Sequence, residues 1–335
     1  MPFHPTSSGR SGKELHEATR TFAEEFRARS WWYVLSTLFL IGISLATAAE
    51  APWLPARLAA SALGALLLVR GFILYHDYMH GALLRGSRLA KILFYTYGTL
   101  ALTPPRSWRF SHNYHHANVG KVAGSHVGSF PILTTDMWRK ASKWDRLAYR
   151  LSRSPVTLLF SYITIFAVNV CLLPLLKQPR THWDSAVSLL AHGGIAATIW
   201  AFAGFEVVFL AFLLPIALAC AFGGFVFYAQ HNFRGMRIIA PEEWTYYEAA
   251  LRSSSFLELG RTMNWLTGNI GYHHVHHLNP LIPFYRLPEA MDAIPELQEP
   301  VVVKLRPGHI LDCFRLALWD PAREEMVGFR EAHAS

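Results

Sequence analysis

Charge is scarce in this chain. Asp, Glu, Lys and Arg make up 16% of its 335 residues against 52% for the hydrophobic types, too apolar for an ordinary soluble domain of this length. The three cysteines, Cys171, Cys220 and Cys313, lie far apart, which argues against a disulfide framework or a cysteine-held metal. They read as small buried apolar residues. There is no His-Pro-Gly-Gly haem string, no ferredoxin-type cysteine run and no Gly-x-Gly-x-x-Gly turn, so the usual signatures of a built-in electron carrier or dinucleotide site are missing. No cleavable signal peptide is expected, because mostly polar residues precede the first apolar run.

Long apolar runs are what the chain does have. Residues 30–49, 186–205 and 207–230 carry no formal charge except for histidine, and 58–75 is broken only by Arg70, which can reach headgroups from near the end of its run. Each can cross ~30 Å of hydrocarbon at about 1.5 Å per residue. Residues 92–103 are too few to cross and read as a surface helix. Residues 154–176 read as interfacial or re-entrant, since Asn169 and Pro174 interrupt them; the alternative is that they span and one of the later two runs does not. Twelve Lys or Arg against three Asp lie between Asp77 and Pro155, whereas the 50–57 loop carries one basic residue. By the positive-inside rule the histidine-bearing side is cytoplasmic. The net charge of +8 clusters beside the apolar runs and reads as affinity for anionic lipid or an acidic protein, not nucleic acid.

Three histidine clusters sit just past apolar runs: His76/His80, His112/His115/His116 and His273/His276/His277. At 3.6 residues per turn each set falls on one helix face, and eight imidazoles exceed what one metal needs, so two metals are expected. Imidazole suits iron, zinc, copper or nickel. The alternative of scattered core or surface histidines does not explain the repeated spacing. His231 follows the last apolar run and is a ninth candidate. His274 lies about 100° off the stripe of its own cluster and is expected to face a neighbour. His126, His182 and His192 lack partners at ligand spacing. If the clusters share one site, an even number of crossings separates them. The expected fold is an all-α integral membrane protein with about four transmembrane helices in two hairpins, interfacial helices and a cytoplasmic histidine-rich cap. The expected segments are an N-terminal piece (1–29), a membrane domain (30–320) and a tail (321–335).

The strings His-Asp-Tyr-Met-His-Gly at 76–81, Trp-Arg-Phe-Ser-His-Asn-Tyr-His-His-Ala at 108–117, and Gly-Asn-Ile-Gly-Tyr-His-His-Val-His-His-Leu-Asn-Pro-Leu-Ile-Pro-Phe-Tyr-Arg-Leu-Pro at 268–288 resemble the three histidine boxes of membrane-bound fatty acid desaturases. The longest is most similar to the bacterial delta-12, or omega-6, branch. The resemblance implies an O2-dependent enzyme that places a cis double bond in an acyl chain. It implies a diiron centre, one iron on His76, His112, His273 and His276 and the other on His80, His115, His116, His231 and His277. In the animal acyl-CoA branch an asparagine four residues before the extra histidine holds a water on the first iron; here that residue is Phe227, with Asn269 a candidate substitute. Tyr78 and Met79 fill the first box where delta-12 enzymes tend to have small residues. Asp77 is a candidate to hold a ligand's second ring nitrogen, or else a solvated carboxylate. Phe72, Tyr75, Phe225 and Tyr228 could line an acyl channel or be ordinary packing.

Electrons would come from an external ferredoxin or b-type cytochrome. The basic row Arg139, Lys140, Lys143, Arg146, Arg150 and Arg153 could dock such a donor or face headgroups. The acyl group could arrive on lipid, CoA or carrier protein. A bacterial inner membrane is the expected location. Other oxidations resemble this scaffold too: a hydroxylase, an acetylenase or a carotenoid ketolase.

Overall fold

The computed structural model describes residues 9–333, so the extreme ends of the expected N-terminal segment and tail lie outside the description. Two apolar helices, Arg27–Glu50 and Leu54–His80, form a tight hairpin. The turn is short because Pro55 fits the first turn of the second helix, where a missing N–H costs nothing. Small residues line the crossing. A Cβ on Gly64 would meet Leu45 at 3.2 Å, and Ser44 Oγ donates to the Ala60 carbonyl at 2.8 Å, so the backbones can approach closely.

The third long apolar helix runs from Trp183 to Gln230 and is broken at Gly204, whose φ of 85° and ψ of 170° no helix accommodates. Its two arms therefore fold back at the boundary between the two apolar runs read from the sequence. These three helices are long and apolar enough to cross a membrane. Leu54–His80 is the central one, 61% of its most apolar stretch being buried against 28% and 22% for the others. At about 1.5 Å per residue its 27 residues reach roughly 40 Å, so its last turns emerge from a hydrocarbon core of about 30 Å. His76 and His80 lie in those turns.

Around this end gather shorter elements. Arg88–Leu100 is amphipathic, Pro105–Asn118 carries the second box, and His273–Leu278 carries the third. The apolar helix Tyr162–Lys177 is shorter than the spans and packs on both arms of the broken helix. The chain is 68% helix, but two small sheets depart from an all-α fold. Leu133–Thr134 pairs in parallel with Leu318–Asp320, which pairs antiparallel with Glu325–Val327; Phe256–Glu258 pairs in parallel with Val302–Lys304. Residues expected as a tail thus supply a strand, and Val327 is buried.

Arg70 corrects the expectation that it reaches headgroups. It is 1% exposed, its Nε donates to Thr37 Oγ1 at 3.0 Å, an Nη donates to the Trp265 carbonyl, and the guanidinium lies 4.3 Å from the Trp265 ring centroid. The helix Gly260–Leu266 covers this face of the span and supplies the acceptor that water would otherwise provide.

Candidate metal centre

The structure brings all nine histidines together, in two groups. His76, His80, His112, His116 and His276 form one and His115, His231, His273 and His277 the other, the ligating atoms within each lying inside 4.8 Å of one another. The division differs from the one the family resemblance implies: His80 and His116 join the first group, and His273 joins the second. Eight of the nine are buried and His80 is partly so.

In the first group the Nε2 atoms of His80 and His112, and of His112 and His116, approach to 3.1 Å, and those of His116 and His276 to 3.2 Å. In the second, His115 and His231 meet at 3.1 Å, His231 and His273 at 2.8 Å, and His273 and His277 at 3.1 Å. Each neutral imidazole nitrogen carries either one proton or one lone pair, so those that face two neighbours at once, His112 and His116 in the first group and His231 and His273 in the second, cannot satisfy both contacts by hydrogen bonds. A cation removes that conflict. With metal–imidazole bonds of about 2.1 Å, ligands at right angles sit about 3.0 Å apart and tetrahedral ones about 3.4 Å apart. The observed spacings let the nitrogens of each group reach a common metal ion.

Burial keeps the histidines outside the apolar spans neutral. It depresses the pKa values of His112, His115, His116, His273, His276 and His277, and lowers His231 to about 4. The neutral ring is the form that binds metal. Second nitrogens are fixed in two cases. His76 Nδ1 donates to Asp77 Oδ1 at 3.0 Å, and His231 Nδ1 donates to the Ser253 carbonyl at 3.0 Å, which leaves each Nε2 lone pair free.

Asp77 does more than touch its neighbour. Its Oδ2 accepts the Phe284 N–H at 2.7 Å, while Asn269, at φ 53°, donates its amide to the Phe284 carbonyl at 3.1 Å. The first box is therefore tied to the loop that follows the third. Phe227 packs edge-on against His115 and His231, at centroid distances of 5.2 and 5.3 Å, and so sits beside the four-histidine group.

The proposed channel aromatics do not form one set. Phe72 and Tyr75 join Trp108, which stacks on His112 at 4.4 Å. Phe225 and Tyr228 instead pack on Phe314, and the Tyr228 hydroxyl accepts from Asn232. His274 donates to the Leu297 carbonyl at 3.1 Å, facing a neighbour as its offset implies. His192 and His182 are hydrogen-bonded to Tyr162 and Ser107 and join neither group.

The basic row is not one surface. Arg153 is buried and donates to the Pro131 carbonyl and to Asn232. The sequence reading missed Asp184, which hydrogen-bonds the start of the second-box helix from another element. Distance along the chain hid it.

The sequence profile described as fatty acid desaturase matches residues 51–308. The chain belongs to the fatty acid desaturase family. It is 33% identical over 275 residues to a fatty acid desaturase of Bacillus subtilis, covering 82% of this chain and 77% of that one. A probable fatty acid desaturase of Sorghum bicolor is 26% identical, covering 79% of this chain and 70% of its own. A protein of Arabidopsis thaliana named as a temperature-sensitive sn-2 acyl-lipid omega-3 desaturase (ferredoxin) is 27% identical over 66% of this chain and 52% of its own length. The desaturase is thus an oxidoreductase of fatty acyl chains, and its apolar helices are consistent with membrane association.

Proposed function

We propose that this desaturase uses O2 and a pair of irons held by the nine histidines to place a cis double bond in a lipid acyl chain. The observation that carries the reading is the pair of converging Nε2 groups at the emergent end of the central apolar helix. Irons bound there would activate O2, the oxidant that removal of hydrogen from an unactivated methylene requires. The chain's own task is placement. Asp77 and the Ser253 carbonyl orient His76 and His231, Phe284 ties the first and third boxes through Asp77 and Asn269, and Phe227 packs against His115 and His231. Phe72 and Tyr75, beside His76 and Trp108, are the better-placed candidates for guiding an acyl chain.

Two hairpins give four spans. The first hairpin turn and the turn at Gly204 are joined by Arg57, which pairs with Glu206 at 2.7 Å, and by Ser61 Oγ, which donates to the Leu210 carbonyl at 2.5 Å. This supports both turns on one side and the histidines on the other, the cytoplasmic side by the positive-inside rule. Electrons would come from a separate ferredoxin or b-type cytochrome, in a bacterial inner membrane.

Expression with a ferredoxin and its reductase, in a bacterium that makes only monounsaturated lipids, tests this reading by mass spectrometry of the total fatty acids. A diene that vanishes in His276→Ala supports it. A hydroxylated, acetylenic or ketone product would assign the chain to another oxidation on the same scaffold.

A further inference from the structure

The helix Lys143–Ser152 is built inside out relative to a helix of a water-soluble cap. Trp144, Leu147, Ala148 and Leu151 fall within a stripe about 100° wide at 3.6 residues per turn. In a soluble domain that stripe would face the core. Here it faces outward, with Trp144 79% and Leu151 54% exposed. What docks on the protein is the other side: Tyr149 is buried, its hydroxyl donates to the Ala317 carbonyl at 2.5 Å, and Arg146 donates to the Trp138 and Arg139 carbonyls.

The outward stripe does not stop at the helix end. Val156, Leu159, Phe160 and Ile163 continue it into the apolar helix Tyr162–Lys177, which packs on the arms of the broken span. Lys140 and Lys143 are exposed beside it. A soluble carrier would meet charge at its docking surface, with the apolar stripe off to one side. An anionic bilayer would meet both features in their natural order, since indole and aliphatic groups settle at the headgroup boundary and lysines pair with phosphates.

We propose that Lys143–Ser152 lies flat in the cytoplasmic face of the bilayer, Trp144 and Leu151 inserted and Lys140 and Lys143 against anionic lipid headgroups, fixing the height of the histidine cap above the membrane. The proposal rests on the membrane-embedded reading of the long helices and concerns this helix alone.

The test uses the full chain reconstituted in phosphatidylcholine vesicles with and without phosphatidylglycerol. Spin labels go on Trp144→Cys, Leu151→Cys and Asp145→Cys, the three native thiols being buried. Relaxation by O2 should exceed relaxation by a water-soluble nickel complex at 144 and 151, with the order reversed at 145. Lys140→Glu/Lys143→Glu should reduce the difference at 144 in the phosphatidylglycerol vesicles. Nickel dominating at 144 and 151 would overturn the proposal, and if added ferredoxin then shielded them the surface would belong to the donor. A label on Phe39, exposed midway along Arg27–Glu50, reads the membrane embedding independently. O2 dominance there with nickel dominance at 144 would sink this inference and leave the spans intact.

Discussion

Asp184 sets the position of the second histidine box from outside it. The helix Pro105–Asn118 has no side-chain cap of its own, because its N-cap position is Pro104. Pro105 has no N–H to satisfy, and Trp108 donates to the Pro104 carbonyl at 2.8 Å. Arg106 and Ser107 are the donors left over. Asp184 Oδ2 accepts both, at 2.9 and 3.0 Å, while its Oδ1 accepts the Ser107 hydroxyl at 2.7 Å. A hydrogen bond to a charged group contributes about 1.5–3 kcal/mol, and exposed Arg106 can recover one partner from water, so Asp184→Ala costs about 3 kcal/mol. If the loss falls on the docked helix, it lowers metal affinity by about two powers of ten through His112, His115 and His116. Asp184→Asn keeps a carbonyl oxygen for the two N–H groups and an amide to donate to Ser107, so it should retain most of the metal. The assay is metal content after dialysis against a graded chelator, alongside thermal melting. Full metal retention in Asp184→Ala, or equal loss in Asn and Ala variants, would refute the reasoning.

His115→Ala leaves three nitrogens in the smaller group, whereas His276→Ala leaves four in the larger; both should abolish product, with His115→Ala losing more metal by elemental analysis. Asp77→Ala frees the His76 ring and the Phe284 N–H together, and should reduce metal affinity about 10–100-fold in the same chelator assay. Gly98→Ala would put a Cβ 2.7 Å from the Tyr75 ring and 2.8 Å from the Thr103 carbonyl, so it should destabilise by about 1–3 kcal/mol in denaturant titrations. Arg57→Ala should cost more than the exposed ion pair with Glu206 alone, about 0–1 kcal/mol, because its Nε also donates to the Ala48 carbonyl; a melting shift no larger in Arg57→Ala than in Glu206→Ala would contradict this.

The long apolar helices and the histidines that gather in two groups were legible because each has a short-range signal. A charge-free run of sufficient length declares a helix long enough to cross, and Gly204 lies two residues before Glu206, which separates two such runs. Contacts between distant segments carry no such signal. Arg70 looked like a residue reaching for headgroups because its acceptor, the Trp265 carbonyl, comes from far along the chain. The basic row looked continuous because sequence does not show that Arg153 turns inward to Asn232. Five short strands were invisible for the same reason: none exceeds three residues, too few for alternation to register.

The division of the histidines is different, for its signal was present in the spacing. Residues four apart on a helix differ by about 40°, whereas the residue three along lies about 60° to the other side. His76 and His80 are four apart and share a group; so are His112 and His116, and so are His273 and His277. In each of the two His-x-x-His-His boxes the histidine at the third step, His115 or His276, crosses to the opposite group. One face of a helix is too coarse a description when the histidines straddle about 100° of it. The second box thus gives two histidines to the first group and one to the second, and the third box does the reverse, which leaves His231 to bring the smaller group to four. Each of these two short helices therefore contributes to both groups, and a shift of either would disturb both at once.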